Sequence, residues 1–348
     1  MSVTQSDIAS KLGVSQFVVS NALRNTDRVS AKTRQRVMEA VEALNYRPNS
    51  AARATREGRF GCINLLLSAN EVRSALPPKL LFGIESALSA QSVDLTITRV
   101  PDEKLADSGY LPRFLCERNC DGVIVNYTDH CPEAFIRQIE RNHLPCVWLN
   151  NKRDADCVYP DDHHAGELAA NQLIERGFRD IVFIDYAHGD GQDPDTHYSS
   201  RDREAGYRGA IESHGLRLRI VRPPHNLPVA DRLDYSRQWL RQEDRPEAVL
   251  CYSEADGMPF VMAAMSTGLK IPTDLFVGVI SNRPITMPGY NMTLARVPEY
   301  DTGVAVAEAL LKKISQPDVP LPPRAIAFKP SRPPPRQDDL VHPCFVHG

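Results

Sequence analysis

From Cys62 onward, short apolar runs of strand length alternate with amphipathic stretches of helical length, and this alternation is the strongest restriction on the fold. The runs Cys62–Ser68, Val93–Arg99, Gly122–Asn126, Cys146–Leu149, Ile181–Asp185, Leu216–Val221, Ala248–Tyr252 and Phe276–Ser281 read as strands. Lys79–Gln91, His163–Arg176, Asp202–His214, Asp256–Thr267 and Glu299–Ile314 read as helices between them. Strand, helix and strand in repetition demand parallel pairing with right-handed crossovers. So many strands exceed one comfortable sheet, which predicts two α/β lobes facing a cleft.

The first 46 residues follow a different pattern, three short helices with clear punctuation. Thr4 can cap a helix with Ile8, Ala9 and Leu12 on one face, ended by Gly13. Ser15 can cap a second helix, Gln16 to about Arg24, that buries Val19, Ala22 and Leu23 and leaves Gln16, Phe17, Ser20 and Asn21 on the other side. Ser30 can cap a third helix carrying Val37, Ala40, Val41 and Leu44. Two helices joined by a turn of this length form a helix-turn-helix unit, whose second helix enters the major groove of DNA.

A plain three-helix bundle is the alternative, but the open face of the second helix carries short hydrogen-bonding groups rather than a Glu/Lys mixture. Charge points the same way. Residues 1–60 hold ten Lys/Arg against five acids, a net +5, so the rest of a chain of net charge −3 carries −8. A basic module on an acidic body is the asymmetry expected when one end meets a polyanion.

The run Val3-Thr4, Asp7-Ile8-Ala9, Gly13-Val14-Ser15, Val19-Ser20, Val29-Ser30, Thr33-Arg34, Val37, Ala40, Leu44-Asn45-Tyr46, Pro48-Asn49 and Ala52-Arg53 resembles the headpiece of the lac repressor/galactose repressor family. Val158, Asp161-Asp162, Ala165-Gly166, Ala169, Leu173 and Gly177-Phe178-Arg179 are similar to the same family's periplasmic-binding-protein-like body. So are Arg203, Gly206-Tyr207, then Gly268, Pro272, Asp274, then Gly303, Ala307, Leu311. The resemblance covers about residues 3–330. It implies a headpiece at 1–48, a hinge helix or linker at 49–60, a two-lobed effector-binding and dimerisation body at 61–330 and a Pro-rich tail at 331–348. A homodimer on a palindromic double-stranded operator is the expected assembly.

For DNA, the hydroxyls of Thr4, Ser15, Ser20, Ser30 and Thr33 and the amide of Asn49 suit phosphate oxygens. Gln16, Phe17 and Asn21 are the expected base readers: an amide can pair with adenine and a phenyl ring can pack on a thymine methyl. The alternative for Phe17 is a core position. The family often has Arg where Asn21 stands, and its loss suggests a half-site richer in A·T. In the hinge, Ala52, Arg53, Thr55 and Arg56 are implied DNA contacts. Thr55 occupies the place of a Leu that wedges the minor groove in relatives, which implies weaker bending; an inert linker is the alternative.

For the effector, the resemblance places a small-molecule site between the lobes and implies Ser68, Asn70, Asn150, Arg203, Ser253, Glu254, Ser281 and Asn282 as contacts. Members that bind neutral sugars present carboxylates where Asn150 and Ser281 stand. A less anionic pocket with an intact Arg203 tilts the expectation toward an anionic or more polar effector, such as a sugar acid, a sugar phosphate or a nucleobase.

The remaining signals exclude more than they add. GxSxG, HExxH, phosphate-binding glycine loops and paired metal ligands are missing from the sequence, so neither an enzyme, a cofactor nor a metal site is expected. The eight cysteines lack zinc spacing and read as reduced, mostly buried small hydrophobes. No apolar run approaches the roughly 20 residues that a membrane span requires, and the start MSVTQSDIAS is unlike a signal peptide, so a cytoplasmic protein is expected. A solute-binding protein with the same body, or a regulator whose body has lost its ligand response, are the competing readings.

Overall fold

The computed structural model describes residues 3–47, 58–70, 73–117, 119–128, 131–188, 196–223, 225–242, 244–287 and 290–331. The chain divides into two compact units, Met1–Gly61 and Cys62–Gly348.

The first unit is three helices, α1 (Gln5–Leu12), α2 (Gln16–Leu23) and α3 (Ala31–Ala43), around a small core of Ile8, Ala9, Val19, Ala22, Val29, Val37 and Ala40. Each start is fixed by a hydroxyl. Thr4 Oγ1 accepts from the Asp7 backbone N–H at 3.3 Å, Ser15 Oγ from Val18 at 3.3 Å and Ser30 Oγ from Thr33 at 3.2 Å. Thr4 returns its own N–H and hydroxyl to the Asp7 carboxylate, both at 2.8 Å, which holds that carboxyl below its ordinary value. Gly13 ends α1 in the left-handed conformation at φ 65°, which costs glycine nothing.

The second unit contains two six-stranded sheets, ordered β13-β5-β4-β3-β1-β2 and β14-β12-β9-β8-β6-β7. The first uses β1 (Cys62–Ser68), β2 (Asp94–Val100), β3 (Gly122–Asn126), β4 (Cys146–Leu149), β5 (Cys157–Pro160) and β13 (Arg324–Ile326). The second uses β6 (Ile181–Ile184), β7 (Ile220–Val221), β8 (Ala248–Cys251), β9 (Phe276–Ser281), β12 (Thr293–Arg296) and β14 (Lys329–Pro330). Within these two sheets all pairs run parallel except β12 with β14, and a separate two-stranded antiparallel ribbon joins β10 (Thr286–Met287) to β11 (Tyr290–Asn291). Central strands such as β3 and β9 are buried along their whole length, as helices on both faces require, whereas the edge strand β2 is exposed at Asp94, Thr96, Ile97 and Arg99.

Three features depart from the sequence expectation. The run Leu216–Val221 pairs only over Ile220–Val221, because the Leu216 N–H is spent closing the preceding helix on Ile211 O at 3.0 Å. Helices Glu133–Arg141 and Val229–Leu240 and strands β5 and β12 were not expected from the alternation. Pro132 and Pro228 open those two helices, a start signal that was readable. The described cysteines are free thiols, of which only Cys116 is exposed.

Candidate functional site

Parallel strands deliver their carboxyl ends to one side, and in the second unit those ends line a cleft of about 760 Å³. Asn126 ends β3 and Thr128 follows it, Asn150 follows β4, His188 follows β6, Tyr252 follows β8, Asn282 follows β9 and Val297 follows β12. A larger trough of about 1070 Å³ runs past Trp148, Arg153 and Lys313. We assign the site to the smaller cleft, because Arg203, Asn150 and Asn282 converge there and the strand ends of both sheets wall it.

Arg203 organises one wall. Its Nε donates to Asp162 Oδ1 at 2.7 Å, its Nη1 donates to Tyr252 O at 2.7 Å, and its guanidinium carbon stands 4.4 Å from the Tyr252 ring centre. Burial opposes the charge, but Asp162 outweighs it and holds the guanidinium above its ordinary pKa. The pair exists because helices Asp162–Glu175 and Tyr198–Ser213 touch backbone to backbone at Gly166 and Gly206, where any side chain would strike Arg203 O and His163 O. Burial pushes the Tyr252 hydroxyl up to about 12, against the pull of Arg203.

Around this pair, Ser199 Oγ lies 2.6 Å from Tyr252 Oη and 2.7 Å from His197 Nδ1. His188 Nδ1 meets Asp185 at 3.0 Å, and the Ser200 hydroxyl donates to the same carboxylate at 2.7 Å. Burial alone would raise the Asp185 carboxyl, but His188, Ser200 and Arg222 hold it below its ordinary value. Contacts that join the sheets' flanking elements include Tyr198 Oη donating to Asn150 Oδ1 at 3.2 Å and Lys152 Nζ donating to Asp202 Oδ2 at 2.7 Å. Asn150 supports this from the left-handed region, at φ 57°.

Of the expected effector contacts, the structure brings Asn150, Arg203 and Asn282 to the cleft. The others are not among its lining residues. Ser68 is buried and donates to Asp102 at 2.6 Å while accepting from the Asn70 N–H at 2.9 Å. Ser253 donates to Asp256 at 2.8 Å at the start of its helix, and Glu254 pairs with Arg283 at 2.9 Å. Ser281 is buried and accepts from the Arg283 N–H at 3.4 Å. The short polar groups at these strand ends are spent on turning the chain. Sequence reasoning missed Asp162, His188, Ser199, Tyr252 and Glu299, although each follows a strand end or opens a helix.

On α2 of the first unit, Gln16 is exposed and Phe17 is 61% exposed, which removes the core alternative for that ring. Asn21 does not share that face. It is 2% exposed, its Nδ2 donates to Phe17 O at 2.8 Å and its Oδ1 accepts from the Thr26 hydroxyl at 3.1 Å. Ser20 is also buried, under Arg24, whose Nη2 donates to its hydroxyl at 3.2 Å. In the free chain both side chains are thus held within the unit, because the turn after α2 folds back over them. Thr4, Ser15 and Ser30 stay exposed at helix starts, and Thr33 is half-buried. Asn49, Ala52, Arg53, Thr55 and Arg56 lie outside the described residues.

These placements separate two substitutions. Asn21→Ala is expected to lower the stability of the three-helix unit by about 1–3 kcal/mol, the cost of unpairing buried groups. Gln16→Ala is expected to leave stability unchanged and to relax base preference by about 1–3 kcal/mol at one position. Thermal unfolding of each variant, beside its binding to a set of single-base operator variants, checks both; an Asn21→Ala protein of full stability with altered preference would reverse the assignment.

Residues 4–49 match the family described as bacterial regulatory proteins, lacI family, and residues 170–337 match the periplasmic binding protein-like domain. The HTH-type transcriptional repressor PurR of Erwinia tasmaniensis is 28% identical over 79% of this chain and 79% of its own length. The HTH-type transcriptional regulator RegA of Clostridium saccharobutylicum is 26% identical over 92% of this chain and 96% of its own. Among solved structures, a lac repressor dimer bound to operator and the anti-inducer ONPF superposes with TM-score 0.70 at 20% identity, covering 96% of this chain and 99% of that one. At that identity the likeness speaks for the fold. With its helix-turn-helix unit, its two parallel sheets and the match of both parts, the chain belongs to the lacI family of bacterial regulatory proteins.

Proposed function

We propose that this protein is a cytoplasmic, homodimeric repressor that binds a palindromic operator and whose operator affinity is set by a sugar or sugar derivative held in the cleft. The observation that carries the reading is the joining, in one chain, of a lacI-family headpiece to a cleft built on the buried Arg203–Asp162 pair. Solved relatives of the same fold hold operator with a small molecule, cellobiose, or ribose, which supports both halves of the reading.

Gln16 and Phe17 read bases, while Thr4, Ser15, Ser30 and Thr33, together with Asn49, Ala52, Arg53, Thr55 and Arg56 of the hinge, contact the backbone and minor groove. No described helix is long and apolar enough to cross a membrane.

Selection of duplexes from a random pool by the full chain tests this. The expected outcome is enrichment of one inverted repeat, bound by two chains per duplex. A pool that stays random would instead favour a solute-binding sensor without DNA readout.

A further inference from the structure

One wall of the cleft offers acceptors that nothing in the described chain satisfies. Asn126 Oδ1 and Glu299 Oε1 are buried without a hydrogen-bond partner among the described residues, and both residues line the cavity. Asn126 is 1% exposed, and its Nδ2 is spent on Ala75 O at 2.9 Å, so turning the amide over would not supply a donor. Glu299, the first residue of helix Glu299–Ser315, is 7% exposed. The nearby hydroxyl of Thr302 donates to Pro298 O at 2.8 Å and is also committed. Burial pushes the Glu299 carboxyl above its ordinary value, with Lys79 opposing. A folded chain rarely leaves buried acceptors unpaired, and two on one wall of a cavity indicate donors that arrive with the ligand.

Elsewhere the cleft offers nitrogen donors rather than free carboxylates. His188, His225 and Arg203 line it, and the carboxylates beside them are already engaged, Asp162 by Arg203 and Asp185 by His188 and Ser200. We propose that the ligand is a polyhydroxylated anion, with hydroxyls donating to Asn126 and Glu299 and its carboxylate or phosphate toward His188, His225 and Arg203. Glu299 is then the specificity-determining residue: it accepts a hydroxyl and repels an anion presented in the reverse orientation. A cavity of about 760 Å³ has room for one such molecule. The inference rests on reading the cleft as the effector site, and it deepens that reading without depending on DNA.

Calorimetric titration of the full chain with D-gluconate, D-galacturonate and D-glucose 6-phosphate tests it, with D-glucose and adipate as probes that each lack one of the two features. At least one hydroxylated anion is expected to bind, with glucose and adipate weaker by about tenfold or more, and the two acids against the phosphate ester identify the anionic group. Glu299→Leu is expected to weaken the bound anion by about tenfold or more, and Glu299→Gln by less, since the amide oxygen still accepts. Removing an unsatisfied buried carboxyl should not lower the melting temperature, which separates lost binding from lost folding. Equal affinity for glucose, an unaffected Glu299→Leu protein, or no binding of any of the three anions overturns the inference. Binding that depends on Glu299 in a protein that selects no operator would uphold the inference and overturn the regulator reading; an operator without anion binding does the reverse.

Discussion

Operator affinity is expected to fall by about 10³ to 10⁵ between 50 and 200 mM salt, the loss that accompanies release of counterions from about six to ten phosphates. The cause is the distribution of charge rather than its total. The chain is −3 overall, yet Lys11, Arg24, Arg28, Lys32, Arg36 and Arg47 are all exposed on the first unit. Arg34 is the exception, half-buried with its Nη2 donating to Thr26 O at 2.7 Å, so it is expected to add little to the slope. Paired headpieces double the remaining set. The slope of log affinity against log salt measures how many of these cations meet phosphate, and a flat line would mean that the basic unit does not bind a polyanion.

Arg203→Ala is expected to destabilise the second unit by about 3–5 kcal/mol, because it leaves the Asp162 carboxylate buried without its partner. The same substitution should abolish the response to the cleft ligand. Both tryptophans, Trp148 and Trp239, lie in that unit, so urea unfolding followed by selectively excited tryptophan fluorescence reports on it alone. Arg203→Met combined with Asp162→Asn removes both charges and should recover much of the loss, since a buried pair taken away together costs far less than half of one. An Arg203→Ala midpoint equal to the unaltered protein's would show that the pair is not desolvated as the structure has it.

How legible these features were depends on which forces place them. The parallel sheets were legible because strands buried on both faces are nearly continuous apolar runs, as in Gly122–Asn126 and Phe276–Ser281. The helix-turn-helix was legible because its caps are local: Thr4, Ser15 and Ser30 bond within three residues of themselves. The inward turn of Asn21 was not, since it depends on Thr26 in the following turn rather than on helical periodicity. At the cleft, Arg203 could be placed by its helix signature, but its partners are Asp162, 41 residues away, and Tyr252, 49 away. Glu299 follows a crossing from the second sheet to a helix packed on the first, so its burial is set by contacts that no local pattern records. Ser68 and Ser253 carry the right chemistry at the right strand ends, and only their bonds to Asp102 and Asp256 show that they are occupied.

One ligand bound in the cleft is expected to change how tightly the first unit holds DNA, which a ligand can do only by binding two states of the protein unequally. The measurement is a titration of the selected inverted repeat with the full chain, without ligand and at a saturating concentration of whichever hydroxylated anion calorimetry identifies. A shift in operator affinity of about 5- to 150-fold, in either direction, is the expected result. Two superimposable binding curves, with the cleft shown by calorimetry to be filled, would contradict the account.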